Sequence, residues 1–282
     1  MGTGFRKIVC LFVLAPVFSA CDKFEMRGFI SSYETADQRF EQSMEWNSQN
    51  PYMDISVPVE DYTIRVMADS HVGGTKNLDF FMNGAIADDV VAVVMAGDLT
   101  SGHAEDYRTF QQHLPGPESL TSFPIVGNHD LFFDGWKQFY SLFGATTYLF
   151  TVTTPLSSDL YICLDTGSGT LGKRQLKWLK DILETERPDY RHCVLFTHNN
   201  LFRIRHTTSA NPFVEELQVL MELCVEHQID MVVAGHDHVK NAVIFGNTTH
   251  ITLDALEDDF TDAGYMDLSV IQGKIEYEFV NL

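Results

Sequence analysis

The chain has 282 residues, with 39 Asp and Glu against 19 Lys and Arg for a net charge of −20, and it is 45% hydrophobic and 21% charged. This is the composition of a folded chain, long enough for about one or two domains of ~100–200 residues, and it excludes disordered and collagen-like classes. The acidic excess argues against nucleic acid or an anionic lipid surface as a general partner, because both are polyanions, but allows an anionic substrate wherever bound cations reverse the local potential.

In chain order, Arg6 and Lys7 precede an apolar run, Ile8–Phe18, shorter than the ~20 residues that cross a bilayer. A basic start and a short apolar stretch form the pattern of a secretory signal. The run ends in Phe18-Ser19-Ala20-Cys21, which resembles the lipobox of bacterial lipoproteins, with Phe18 where Leu, Val or Ile is usual. The resemblance implies a signal peptide over residues 1–20 and lipidation of Cys21. It also implies a protein anchored through that cysteine on the extracytoplasmic side of a bacterial envelope, at the periplasmic face or the cell surface. Plain secretion and an uncleaved anchor are the alternatives. Cleavage there removes Arg6 and Lys7 and takes the charge from −20 to −22. Cys163, Cys193 and Cys224 each lie in an apolar stretch and read as buried free thiols.

Residues 21–60 are rich in Ser, Gln, Glu and Asn and read as the lipid-attachment site and a spacer, with a short helix around Thr35–Asn47 and a break at Pro51. Residues 61–282 carry a repeating pattern. Apolar runs of strand length lie at 63–68, 90–96, 123–126, 159–164, 192–196 and 230–234. Helix-like stretches lie at Asn77–Ala87, Gly135–Phe143, Leu171–Glu184 and Phe213–Glu226. That alternation predicts an α/β layered domain. After His238 come short runs, AVIF, HITL, MDLSVI and KIEYEF, which predict antiparallel strands finishing a second sheet.

The polar residues directly after the apolar runs carry the chemistry. The run at 63–68 leads to Asp69-Ser70-His71, and that at 90–96 to Gly97-Asp98. The run at 123–126 leads to Gly127-Asn128-His129-Asp130, that at 192–196 to Thr197-His198-Asn199, and that at 230–234 to Gly235-His236-Asp237-His238. In α/β sheets ligands gather where strands end. One Gly-Asp or Asn-His at such a place is ordinary turn chemistry; five in order at strand ends are a site.

These blocks resemble the calcineurin-like metallophosphoesterase superfamily, whose pattern is Asp-x-His, Gly-Asp, Gly-Asn-His-Asp/Glu, a lone His, then Gly-His-x-His. The resemblance covers roughly residues 62–282. It implies a four-layer α/β/β/α sandwich of two mixed sheets flanked by helices, with two metal ions at the strand ends. By the same resemblance Asp69, His71 and His238 hold one ion, Asn128, His198 and His236 hold the other, and Asp98 bridges both. The implied reaction is hydrolysis of a small-molecule phosphate monoester or diester by a metal-bridging hydroxide. His129 would hydrogen-bond the phosphoryl group or protonate the leaving oxygen, with Asn128 beside it at the substrate. Nitrogen and oxygen donors without thiolate suit divalent or trivalent Mn, Fe, Zn or Ni. Asp130 reads as structural, holding its loop, and Asp237 as pointing away. Arg203, Arg205 and His206 form a candidate contact for an anionic substrate, whereas His103, His113, His192, His227 and His250 read as solvated or locally satisfied.

Departures narrow the type. Gly97-Asp98 runs into Leu99-Thr100-Ser101-Gly102, without the Asp and Arg of protein Ser/Thr phosphatases and with Ser101 where purple acid phosphatases carry a Tyr ligand. His198 is followed by Asn199-Asn200 rather than Pro, which bears on the pocket wall and not on the ligand. Asp165-Thr166-Gly167 and the helix carrying Gln175, Trp178 and Leu179 match a common family stretch, read as packing. Two other readings remain: a nuclease using the same metal site, and a non-enzymatic envelope lipoprotein retaining the fold.

Overall fold

A computed structural model describes residues 33–200 and 214–282. The signal peptide expected over residues 1–20, Cys21 and the Arg203, Arg205, His206 group lie outside the described residues. The elements in chain order are α1 (Ala36–Gln49), β1 (Met53–Ser56), β2 (Tyr62–Met67), α2 (Lys76–Ala87), β3 (Ala92–Ala96), α3 (Ala104–His113), β4 (Ser122–Ile125), α4 (Trp136–Phe143), β5 (Tyr148–Thr153), β6 (Ser158–Cys163), α5 (Gly172–Thr185), β7 (Cys193–Phe196), α6 (Val214–Glu226), β8 (Met231–Ala234), β9 (Asn241–Phe245), β10 (Thr248–Thr252), β11 (Gly264–Ile271) and β12 (Lys274–Asn281).

Seven strands form one sheet in the order β1-β5-β6-β7-β8-β10-β9, and five form the other in the order β12-β11-β2-β3-β4. Both sheets are mixed. Strands β2, β3 and β4 run parallel, as do β6, β7, β8 and β10, while the β5–β6, β9–β10, β2–β11 and β11–β12 pairs are antiparallel.

The side-chain period of two sorts each strand between layers. Val94 and Ala96 of β3 point into the core between the sheets, where they meet Ile64 and Val66 of β2 and Val194, Phe196 and Val233 from the other sheet. Val93 and Met95 point the other way, under Phe81 of α2, Phe110 of α3 and Phe139 of α4. On the far side Ile162, Leu195 and Val232 pack against Leu179 and Leu183 of α5 and Leu220 and Leu223 of α6. The result is the expected four-layer α/β/β/α sandwich. Strands covered on both faces must be apolar throughout, which is why these runs are continuous rather than alternating. Cys163, Cys193 and Cys224 are free and buried in this interior, where burial pushes the Cys224 thiol up to about 12. Among the described residues no helix is long and apolar enough to cross a membrane.

Two expectations are corrected. The spacer proposed for residues 21–60 is, from Ala36 onward, part of the domain. Strand β1 pairs in parallel with β5, Met53 opposite Phe150. Helix α1, started by a capping box between Thr35 and Gln38, buries Ala36, Arg39, Phe40 and Ser43 against α5 and the site loops. That inward stripe has helical spacing, but two of its four members are polar, so composition alone reads it as solvated. The terminal strands also do not finish one sheet. The β9–β10 hairpin extends the seven-stranded sheet, with β10 parallel to β8, and the β11–β12 hairpin joins the five-stranded one.

Candidate metal centre

The parallel strands β2, β3 and β4 of one sheet and β7 and β8 of the other end at one edge of the sandwich, and their connecting turns interlock. The Asp69 and His71 amides donate to the carbonyls of Gly97 and Asp98, and the Gly235 amide donates to the His198 carbonyl, each at 3.0 Å. The turns are tight enough to force left-handed backbone at Asp69 (φ 55), His71 (φ 38), Asp98 (φ 51), His236 (φ 73) and His238 (φ 54). Non-glycine residues adopt that region at a cost of about 1–3 kcal/mol each, and such strain concentrates at functional sites. Two glycines make the approach feasible. Gly97 has φ 87, and a Cβ there would stand 2.6 Å from Nδ1 of His198. A Cβ on Gly127 would overlap the amide and carboxylate of Asp98.

The side chains so delivered form donor groups meeting at Asp98. Asp69, His71 and His238 converge in one, Asp98, His198 and His236 in another, and His71, Asp98 and His129 in a third that joins them. His238 Nε2 lies 3.2 Å from Asp69 Oδ1, and His71 Nε2 is 3.3 Å from His238 Nε2. His71 Nε2 also stands 3.9 Å from both Asp69 Oδ1 and Asp98 Oδ2. In the second group His198 Nε2 is 3.2 Å from Asp98 Oδ2, 3.1 Å from Asn128 Oδ1 and 3.2 Å from His236 Nδ1. All seven residues expected as ligands are therefore brought together.

The site fits cations. Asp69 and Asp98 are buried carboxylates, 0% and 1% exposed, and Asp69 Oδ1 faces the ring nitrogens of His238 and His71. Buried carboxylates and facing ring nitrogens are costly to assemble unless a positive charge lies among them. His198 Nδ1 donates to the Ala96 carbonyl at 3.0 Å, which leaves Nε2 turned to the cluster, the arrangement by which metal-binding histidines are oriented. Burial lowers His71 to about 4 against the pull of Asp98 and Asp69, so its ring is neutral and offers a lone pair at neutral pH. Burial would also lower His198, but the Asp98 carboxylate outweighs it and raises the group to about 9. Asp98 in turn is held well below the carboxylate range because His198 and His129 outweigh its burial.

His129 sits at the join. Its amide donates to Asp98 Oδ1 at 2.7 Å, and its ring centre is 4.6 Å from that of His71. Asp130 turns inward, as expected. It accepts from the amides of Gly127, Leu99 and Thr100 and from the Thr100 hydroxyl, binding the β3 and β4 turns to each other. Asp237 faces away from the cluster and accepts from Asn200 Nδ2 at 3.1 Å. Asn199 and Asn200 are buried structural residues, 1% and 3% exposed. The Asn199 amide donates to Thr166 Oγ1, and Asn200 also donates to Thr252.

A supporting shell went unread in the sequence. Thr166 Oγ1 accepts the amide of His198 at 3.0 Å. The preceding Asp165 is clamped by Arg39, with Nε to Oδ2 at 2.7 Å and Nη2 to Oδ1 at 3.1 Å. Gln175 fixes the backbone of Asp165 from both sides. Ser43 of α1 accepts from Thr146, whose hydroxyl accepts the amide of Val126 just before the Gly127–Asp130 turn. Arg39, beside Phe40 on the inward stripe of α1, is the charged member of that stripe, and its role shows only once Asp165 is seen opposite.

A calcineurin-like phosphoesterase family model matches residues 62–240. No curated protein sequence matches the chain significantly. Among solved structures, a dimetal phosphatase from Danio rerio superposes with a TM-score of 0.60 at 15% identity, over 80% of this chain and 99% of that one. GAP50, described as the anchor in the inner membrane complex of Plasmodium, also gives 0.60, at 10% identity over 78% and 84%. A putative 5′-nucleotidase from Staphylococcus aureus gives 0.52 at 14% identity over 78% of this chain and 54% of its own. At these identities the likeness is one of fold.

Proposed function

The chain belongs to the calcineurin-like phosphoesterase family, and on that premise we propose that it hydrolyses a phosphate monoester or diester with two transition-metal ions. The observation that carries this is the convergence of two donor groups on one shared carboxylate, Asp98. Asp69, His71 and His238 would hold one ion, Asn128, His198 and His236 the other, and Asp98 would lie between them. The donor set suits Mn, Fe, Zn or Ni. Bound there, such ions lower the pKa of water and draw charge from phosphoryl oxygens. The chain's own part is to hold its donors rigidly through strained turns, and to place His129 where it hydrogen-bonds the phosphoryl group or protonates the leaving oxygen.

The phosphatase described for Danio rerio shares this fold, and so does the Plasmodium protein described as an anchor. The complete donor set favours catalysis over a purely architectural role, and the net charge of −20 disfavours a nuclease. Metal-free protein is to be assayed on aryl phosphate mono- and diesters with and without Mn²⁺, beside Asp98→Asn. Turnover that needs the ion and falls at least about 100-fold in the variant is expected for loss of a group central to transition-state charge. Bound Mn²⁺ without hydrolysis of any phosphoester would refute the assignment.

We also propose that the protein is lipidated on Cys21 and held at the extracytoplasmic face of a bacterial envelope membrane, on the strength of the lipobox-like residues 18–21. Palmitate should label wild type and not Cys21→Ser; equal labelling of both would overturn the anchor.

A further inference from the structure

The described chain begins at the edge of the sandwich that carries the metal centre. Arg39, fully buried, donates from Nη1 to the Glu34 carbonyl at 2.9 Å, while its other nitrogens clamp Asp165 and reach Ser168 Oγ in the loop after β6. That loop carries Thr166, which accepts the His198 amide. Further along the helix Ser43 Oγ accepts the Thr146 amide, and Asn47 Nδ2 donates to the Thr147 carbonyl at 2.9 Å, just before β5. From Arg39 to Asn47, α1 therefore lies along the loops at this edge.

A second, independent contact ties the start of the helix to the turn after β4. Lys137 Nζ stands 5.9 Å from the centre of the Tyr33 ring and pairs with Asp134, five residues beyond His129. Phe133 (φ 55) and Asp134 (φ 62) are consecutive left-handed residues without glycine, a strain that persists only where the surroundings enforce it. The Phe133 ring stacks on His103 with one face and is still half exposed. Tyr33, on the same rim, is 85% exposed. Rings of this kind, apolar in body and held at a surface, suit the boundary between lipid and water.

Chain length then decides which edge can meet a membrane. Twelve residues lead from Cys21 to Tyr33, and fully extended they span at most ~43 Å. A domain of this length is about 45 Å across. An anchor on Cys21 therefore reaches a membrane under the metal-centre edge easily, and one under the opposite edge only with the chain stretched to its limit.

We infer that the anchored protein stands with its metal-centre edge against the membrane, docked on the headgroup layer through Tyr33 and Phe133. The inference rests on lipidation of Cys21. The lipid it fits is zwitterionic. Residues 33–50 carry Glu34, Asp37, Glu41 and Glu45 against one buried cation, Arg39, and an anionic surface repels such a face. The metal centre is thereby presented to the headgroup layer.

The test places lipidated full-length protein on phosphatidylcholine vesicles that contain a nitroxide-headgroup lipid. A thiol-reactive fluorophore is carried on Tyr33→Cys, Phe133→Cys or Leu156→Cys; Cys163, Cys193 and Cys224 are buried and do not compete for it. Leu156 sits in the β5–β6 turn at the opposite end and, at 85%, is as exposed as Tyr33, so exposure alone does not separate the two. Quenching at positions 33 and 133 should be at least about twofold stronger than at 156, which lies a domain's height further from the lipid. Replacing part of the lipid with phosphatidylglycerol should weaken it at both. Equal or stronger quenching at 156 would overturn the orientation, and quenching unmoved or strengthened by phosphatidylglycerol would overturn the choice of lipid. Both results leave the anchor intact if palmitate labels wild type and not Cys21→Ser. Absence of palmitate from wild type would overturn the anchor and the orientation with it.

Discussion

Asp98 is the residue on which the centre turns, and its position is set by what is missing from Gly127. Because a Cβ at residue 127 would occupy the space of the Asp98 amide and carboxylate, Gly127→Ala must displace the shared ligand. The side chain added is a single methyl set against the Asp98 carboxylate and carrying no chemistry of its own, so the effect should come through metal binding. The variant should remain folded and bind Mn²⁺ at least about tenfold more weakly, the scale on which disturbed ligand orientation acts; equilibrium dialysis measures it, and unchanged affinity would contradict the role given to the close approach. The ligand types were legible in the sequence because each stands directly after an apolar run. Their supporting residues were not, because Thr166, Gln175 and Arg39 act through backbone groups or partners more than a hundred residues away, and no local pattern encodes such pairs.

At the scale of elements, α1 does more than its composition suggests. Arg39 and Asp165 are both fully buried, and their ion pair ties the helix to the loop that carries Thr166 and thereby the amide of His198. Removing one member leaves a buried charge without its partner, which costs about 3–5 kcal/mol. Arg39→Ala should therefore lower unfolding free energy by that amount in urea titration, and a loss under about 1 kcal/mol would mean that α1 is an accessory. The strands and helices of residues 61–282 were largely readable, since β2, β3, β6, β7 and β8 are buried on both faces and show as continuous apolar runs. Helix α3 escaped notice because only Tyr107 and Phe110 of its ten residues are buried. Strand β1, at the sheet edge, is exposed or half-buried throughout, and β5 beside it mixes buried with half-buried positions, so neither period stands out. The β9–β10 and β11–β12 hairpins were legible as strands, but which sheet a hairpin joins depends on a crossover that strand patterns do not record.

For the whole molecule, the two sheets are held together at both ends. At the end away from the metal centre, His192 before β7 points Nδ1 at Asp230 Oδ1 and Nε2 at the Gly273 carbonyl of the β11–β12 turn, each at 3.0 Å. Both nitrogens face acceptors, a geometry that favours the cation over the neutral ring. Burial would lower its pKa, but Asp230 and the carbonyl outweigh burial and raise it. A raised folded value means that this clip contributes fully below the unfolded value of about 6.5 and is lost as pH climbs through the folded value. Wild type should thus lose stability relative to His192→Asn as pH rises from about 6 through that window. A difference independent of pH would show that the cation is not what links the sheets.

The acidic surplus of the chain takes on a definite shape here, since part of it lies at the buried strand ends where two donor groups share Asp98. The central claim is that this arrangement makes a two-ion phosphoesterase. Titrating the metal-free protein with Mn²⁺ while following aryl phosphate hydrolysis tests it most directly. Activity should climb to a plateau at two ions per chain, whereas full activity at one ion, or hydrolysis without any, would contradict it.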